Sequence, residues 1–235
     1  METIEKNKPW DLHNKLKKED APNRTELISI ARSIPILMER ALFITLYLTA
    51  ARVSEVVKVQ FLRKVIYKTE YVSNGNEVKR KVCRNKNGSP IQERITQIPL
   101  NYIGLTKESF SWQLKKGRKI LVISIQNRKN KQVKRKMIPI PYDREPELID
   151  MLFEYIEPYS THTSLFNFAT RKAEEIINRC TGFNPHSIRS FRAIRLVVDH
   201  GFTEYKLQKY FGWSSGRPGE RYVRMAMNDI VGGDY

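Results

Sequence analysis

The sequence predicts an α+β chain, a mainly helical domain with a small antiparallel β-sheet set between two helical blocks. Three observations predict it. Segments with helical periodicity and recognisable stops fill both ends. Alternating segments punctuated by Asn-Gly fill the middle. No internal repeat or low-complexity block points to an array instead. At 235 residues and 27.6 kDa, with 40% hydrophobic and 10% aromatic residues, the chain is long enough to bury one substantial core.

Residues 1–24 are polar and basic and carry Pro9 and Pro22, so they read as an arm or linker; residues 25–235 read as the folded domain. Thr25 with Glu26 reads as a helix start, and "ELISIARSI" is apolar on one face. Pro35 opens "PILMERALFITLYLTA", apolar nearly all round and therefore expected at the centre of the core. Val53, Val56 and Val57 suggest another helix after a short break. From about residue 62 to 142 the pattern turns to strands. "VIYKTEYVSNGNEVKRKV" holds an Asn-Gly hairpin signal, and "CRNKNGSPIQERITQIPL" repeats it. "KILVISIQNRKNKQVKRKMIPIPY" reads as two strands about a basic turn. Helices return in "REPELIDMLFEYI" and from about Thr170 to Cys180. Asn184 caps the next, with Pro185 in its first turn and Gly201 as its stop. "TEYKLQKYFG" begins on Thr203 and stops at Gly212, and the last helix starts near Gly219.

Charge narrows the function. Forty-two Lys and Arg face 25 Asp and Glu, a net +17 with pI near 9.9. Such an excess favours a nucleic acid over other partners. Cys83 and Cys180 lie far apart without CxxC spacing, which fits two reduced thiols in a cytoplasmic, DNA-associated protein and no zinc site. The N-terminus has no apolar run that reads as a signal peptide, and the apolar stretch Ala41 to Ala51 is too short to span a bilayer.

Four stretches carry candidate chemistry. In "HSIR", His186 and Arg189 share a helix face near an N-terminus, where free N–H groups favour an anion. Taken alone, a surface His and Arg on a basic protein is an equal reading. In "TAARVSEV", Arg52 follows a core helix and Glu55 is its near partner, either a local ion pair or an orienting group. The turn "QNRKNKQVKRK" concentrates Arg128, Lys129, Lys131, Lys134, Arg135 and Lys136 on a hairpin; charge runs are usually solvated, but a basic hairpin also suits a phosphate backbone. In "GWSSGRPGERYVR", Trp213 and Tyr222 stand nine residues apart, and each taken singly is more often a core residue.

Together these stretches resemble the catalytic domain of the tyrosine recombinases, the phage-integrase and Xer family, over about residues 25 to 225. The family's first box, Thr-Gly-x-Arg-x-Ser-Glu, is similar to "TAARVSE"; its second, His-x-x-Arg, to "HSIR"; and its Gly-Trp followed by a tyrosine, to "GWSSGRPGERY". The resemblance implies Tyr222 as nucleophile, Arg52 and Arg189 as phosphate clamps, His186 as base, Trp213 as an indole N–H donor or a packing support of the tyrosine segment, and Glu55 as an orienting residue. The family's lysine lies on a hairpin between the boxes, which implies Lys129, with Lys131 the second candidate. Arg128, Lys131, Lys134, Arg135, Arg192 and Arg221 are the implied DNA contacts.

The implied reaction is metal-free, cofactor-free and ATP-independent cleavage of double-stranded DNA. It proceeds through a 3′-phosphotyrosine, with strand exchange via a Holliday junction in a homotetramer, the chain being a monomer or weak oligomer without DNA. Three departures stand out. The segment from about 62 to 100 is longer than the family's simplest sheet, and its extra hairpins either touch DNA or cover the core. Ala50 replaces the family's glycine, a mild change if its φ is negative. The helical DNA-clamping domain that usually precedes the first box is expected to be absent. Two other functions remain open at this level: DNA relaxation by a type IB topoisomerase-like activity, and a non-catalytic DNA-binding protein of the same fold.

Overall fold

Asn23 starts the first helix. Its side chain accepts from the Glu26 N–H at 3.0 Å, while the Glu26 carboxylate accepts from the Asn23 N–H at 2.7 Å. This reciprocal pair satisfies donors that a helix start leaves free, so helix α1 (Arg24–Ser33) begins ahead of the Thr25–Glu26 start read from the sequence. The computed structural model describes residues 21–74, 77–127 and 134–231. They fall into two compact units: the chain up to Lys58 together with that from Ile103 onward, and the segment Val59–Tyr102.

In the larger unit, helix α2 (Leu37–Thr49) is buried along its whole second half, from Ala41 to Thr49. A helix apolar on every side has to be surrounded, and α2 packs on α1 and on three later helices: α4 (Pro146–Ile156), α5 (Thr170–Thr181) and α6 (Pro185–Val198). Between α2 and the strands lies one short turn, α3 (Val53–Val56). Gly104 fixes the end of that turn. Its φ is +81°, and a Cβ there would lie 2.7 Å from the Val56 carbonyl oxygen, which also accepts from the Leu105 N–H at 2.9 Å. Only glycine allows the chain to return this closely.

The smaller unit is a nested ribbon. Strand β1 (Val59–Tyr67) pairs antiparallel with β4 (Gln92–Tyr102), and β2 (Thr69–Asn74) with β3 (Glu77–Val82). The first Asn-Gly signal falls where expected, since Asn74 faces Glu77 across residues 75–76. The second does not open a regular hairpin. Residues 84–90 form a closed turn with an isolated bridge between Arg84 and Pro90, and β4 pairs past it with β1.

The remaining sheet belongs to the larger unit, with β5 (Phe110–Lys115), β6 (Arg118–Asn127) and β7 (Lys134–Pro141) in sequential antiparallel order. Ile123, Ile125, Ile138 and Ile140 are buried. The final helices are α7 (Glu204–Phe211) and α8 (Arg217–Val231), and α8 packs on α6 and α7. The Asn184 side chain accepts from the Ser187 N–H at 2.8 Å to start α6, and Gly212 ends α7 with positive φ, both as the sequence predicts. Gly182 ends α5 in the same way, whereas α6 ends at Val198 with Asp199 as its cap, short of the Gly201 stop. The chain is thus α+β. No helix among the described residues is long and apolar enough to cross a membrane.

Candidate active site

Two stretches more than 130 residues apart in sequence meet at one cleft. The end of α2 leads into Arg52, which sits just before α3 and in effect caps it. Its N–H donates to Glu55 Oε2 at 2.8 Å, and its Nη1 to Glu55 Oε1 at 3.1 Å. Glu55 is buried while the Arg52 side chain stays 41% exposed, so the pair anchors an arginine whose outer face is open to an anion. Opposite stands the first turn of α6, which presents exposed His186 and buried Arg189. A cleft of about 340 Å³ lies between them, lined by Arg52, Ser54, Thr170, Glu174, His186 and Arg189.

Arg189 is held on several sides. Nη1 donates to the Ala50 carbonyl, Nη2 donates to the Phe211 carbonyl at 3.4 Å, and the guanidinium lies 4.7 Å from the Phe211 ring centre. Ala50 itself has φ 48° and ψ 31°. The family's glycine position is therefore left-handed here, not the negative-φ conformation that would make alanine a mild replacement. Burial and the neighbouring Arg52 charge lower the Arg189 guanidinium to about 10, with Glu55 and Tyr222 opposing. The shift reflects first the cost of burying the charge and only then the like charge of Arg52.

Lys136 is a third cation beside the two arginines. It stands two residues before buried Ile138 on β7, so it shares the inward face of the strand. Its Nζ lies 5.6 Å from the Tyr210 ring centre and 6.0 Å from that of Phe211. Burial, then the charge of Arg189, push its ammonium down to about 7; Glu55 opposes the shift and Arg52 adds to it. The sequence reading placed Lys136 within a basic run and assigned the chemistry to Lys129. The period-2 alternation of "KMIPI" was the signal that marks Lys136 as inward.

Tyr222 comes to the same place within the same chain. Its hydroxyl lies 3.1 Å from Ser190 Oγ, one residue beyond Arg189. Its ring stacks on Trp213 with centroids 6.1 Å apart and planes 8° from parallel, and Trp213 stacks in turn on Phe211 at 4.4 Å. Trp213 thus contributes its ring face to the tyrosine-bearing helix. Ser190 is the other side chain the sequence reading passed over. Being buried and four residues after His186, it lies on the face of α6 that meets α8.

The remaining sequence candidates scatter. Arg192, expected as a DNA contact, is not at the surface: it is 3% exposed and ion-paired with Glu145, which is 5% exposed, and its Nε donates to the Tyr210 hydroxyl at 3.4 Å. An arginine committed to a buried pair cannot reach a phosphate backbone at the surface, and the signal that would have exposed this, Glu145, lies 47 residues upstream. Arg135 is exposed on β7, and Lys134 begins that strand. Arg221 is half-buried on α8. Arg128, Lys129 and Lys131 lie outside the described residues. Among the described residues no group of three or more His, Cys, Asp or Glu gathers as a metal site would require.

No family model matches this chain, and no curated protein matches it. Among solved structures it is similar to a XerH site-specific recombinase bound to its difH substrate in a pre-cleavage complex, at 16% identity and a TM-score of 0.47. That match covers 90% of this chain and 52% of the recombinase, so the chain spans about half the length of that protein.

Proposed function

We propose that this chain cleaves and rejoins double-stranded DNA through a covalent tyrosine intermediate, as a site-specific recombinase does. The observation that carries the reading is the position of the Tyr222 hydroxyl beside Ser190, next to an arginine lowered by burial and by a second arginine.

In this reading the Tyr222 oxygen attacks the phosphorus of a DNA phosphodiester. A phenol of ordinary pKa, about 10, is only about one part in a thousand ionised at neutral pH, so the proton must be taken up as the bond forms, and His186 is the acceptor at the cleft. Arg52 and Arg189 clamp the two non-bridging oxygens and counter the charge that develops on them. Loss of one such donor typically costs about 100- to 1,000-fold in rate. The bond to the 5′-oxygen breaks, leaving a 3′-phosphotyrosine and a 5′-hydroxyl. Lys136 supplies the proton to the leaving oxygen; an ammonium lowered to about 7 is suited to give one up near neutral pH. The ester energy stays in the phosphotyrosine, so attack by a 5′-hydroxyl reverses the step and rejoins a strand. Exchange between two duplexes takes this step twice through a Holliday junction, on a tetramer assembled on DNA. Tyr222 acts in cis.

A nicked duplex from which the 5′-product diffuses away traps the intermediate. Wild type is expected to give a protein–DNA adduct on a denaturing gel and Tyr222→Phe none. Absence of an adduct from wild type on duplex or junction DNA contradicts the reading.

A further inference from the structure

The ribbon Val59–Tyr102 has no part in the chemistry above, yet it is strongly basic. It holds nine Lys and Arg against three Glu, a net +6 in 44 residues. More than a third of the chain's excess charge thus lies in less than a fifth of its length. Such a concentration within one compact unit carries a self-repulsion that a polyanion relieves.

The cations are displayed rather than neutralised. Lys68, Lys81, Arg84 and Lys86 are all exposed, and among the described residues none of them is in an ion pair. The ribbon brings them together. Lys68 sits where the outer strand pair passes into the inner one: its N–H donates to the Ile91 carbonyl at 2.9 Å, and its carbonyl accepts from the Cys83 N–H at 2.9 Å. Lys81, on β3 opposite Glu70, lies two residues before Cys83, and Arg84 follows Cys83 just past the strand. Lys86 is carried by a turn tied from within. Asn85 Oδ1 accepts from the Asn87 and Ser89 N–H groups at 3.1 and 2.9 Å, and Arg84 Nη1 donates to the Gly88 carbonyl at 2.6 Å. A turn fixed in this way holds its lysine in place before any partner arrives, which lowers the ordering cost of binding.

Aromatic rings accompany the charge. Tyr67 and Tyr71 bracket Lys68 and are 42% and 73% exposed. Exposed tyrosines beside unpaired lysines suit a nucleic-acid backbone, where ammonium groups meet phosphates and phenols meet sugar and phosphate oxygens.

We propose that this ribbon is a second nucleic-acid-binding surface, which grips the phosphate backbone of duplex DNA through Lys68, Lys81, Arg84 and Lys86 without reading its sequence. The proposal stands apart from the cleavage reading, because it requires binding and no chemistry.

The test measures affinity of the full chain for a 30-base-pair duplex across a series of salt concentrations, in the Tyr222→Phe background so that no cleavage intervenes. Each phosphate contact contributes about 0.9 to the slope of log affinity against log salt. The combined variant Lys68→Gln, Lys81→Gln, Arg84→Gln, Lys86→Gln is expected to lose about 3 to 4 from that slope and to bind more weakly by at least about 10-fold at fixed salt. Because Arg84 also ties the turn, a second variant leaves it in place and alters only the three lysines, with an expected slope loss of about 2 to 3. Arg171→Gln, which alters an exposed arginine on α5, is the control and should leave the slope within about 1 of its parent. An unchanged slope and affinity in the three-lysine variant overturns the proposal. If that variant instead loses affinity for poly-glutamate while its DNA slope stays the same, the surface serves an acidic protein and the proposal falls. Wild type that binds DNA through this surface yet yields no covalent adduct leaves this proposal standing and removes the cleavage reading alone.

Discussion

The Arg189 guanidinium donates to the Ala50 carbonyl, and Ala50 holds a left-handed backbone to offer it. The turn that ends α2 thereby fixes the arginine at the centre of the candidate site. For an L-residue that backbone costs about 1–2 kcal/mol. Ala50→Gly relieves it but gives up a buried methyl worth about 0.8 kcal/mol. The net expectation is a gain of up to about 1 kcal/mol in urea unfolding. Ala50→Val, branched at a fully buried left-handed position, is expected to lose more than about 1 kcal/mol. Equal effects of the two substitutions would contradict the backbone account.

Lys136 predicts a pH dependence with a definite sign. Its ammonium is lowered from 10.5 in the open chain to about 7 in the fold. Below pH 7 the group is charged in both states, and the fold bears the full burden of a confined cation. Between 7 and 10.5 the unfolded chain binds the extra proton, so this burden fades as pH rises. Lys136→Met is therefore expected to stabilise the protein most below pH 7 and not at all above about 10.5, as read by urea midpoints across the pH range. A gain that grows with pH would contradict the assignment.

The same lysine predicts a chemical rescue. A duplex with sulfur in place of the leaving 5′-oxygen departs without protonation. Lys136→Ala is expected to form adduct slowly on the oxygen substrate and at nearly the wild-type rate on the sulfur one, whereas Arg189→Ala should be slow on both. Rescue of Lys129→Ala in its place would move the proton donor to Lys129.

Arg192 and Glu145 form a buried pair, so removing either partner leaves the other charged and alone. Arg192→Met and Glu145→Gln are each expected to destabilise by about 3–5 kcal/mol. The double variant should lose less than the sum of the two. Arg192→Met should also leave the salt slope of DNA binding unchanged, and a fall in that slope of about 1 would restore it as a phosphate contact.

Ser190 positions the Tyr222 hydroxyl. Ser190→Ala removes one hydrogen bond, worth about 1 kcal/mol or about a 5-fold change in rate. Ser190→Thr keeps the hydroxyl and is expected to recover most of the rate. Equal adduct rates in the alanine and threonine variants would mean that the contact has no part in the reaction.

What could be read in the sequence was local. Asn184 and Gly212 announce helix ends through their own backbone and side-chain preferences, and the start of α6 and the end of α7 follow them. Helical spacing also puts His186 and Arg189 on one face, whereas the expectation that "TAARVSE", "HSIR" and the tyrosine segment come together rested on their resemblance to one family. What escaped depended on distant partners. The β1–β4 pairing closes across the whole of the inner hairpin, so no neighbouring residue signals it. Arg192 reads as a surface cation until Glu145 is folded against it. Lys136 looks like one more charge in a basic run until β7 turns it inward beside Arg189.

The central claim is that Tyr222 becomes covalently joined to DNA. Wild-type protein is incubated with a nicked duplex, the adduct is digested with nuclease and protease, and the nucleotide-bearing peptide is sequenced by mass spectrometry. The account predicts a phosphonucleotide on Tyr222, in the peptide that contains "YVR". A nucleotide on any other residue, or none on any peptide, would contradict it.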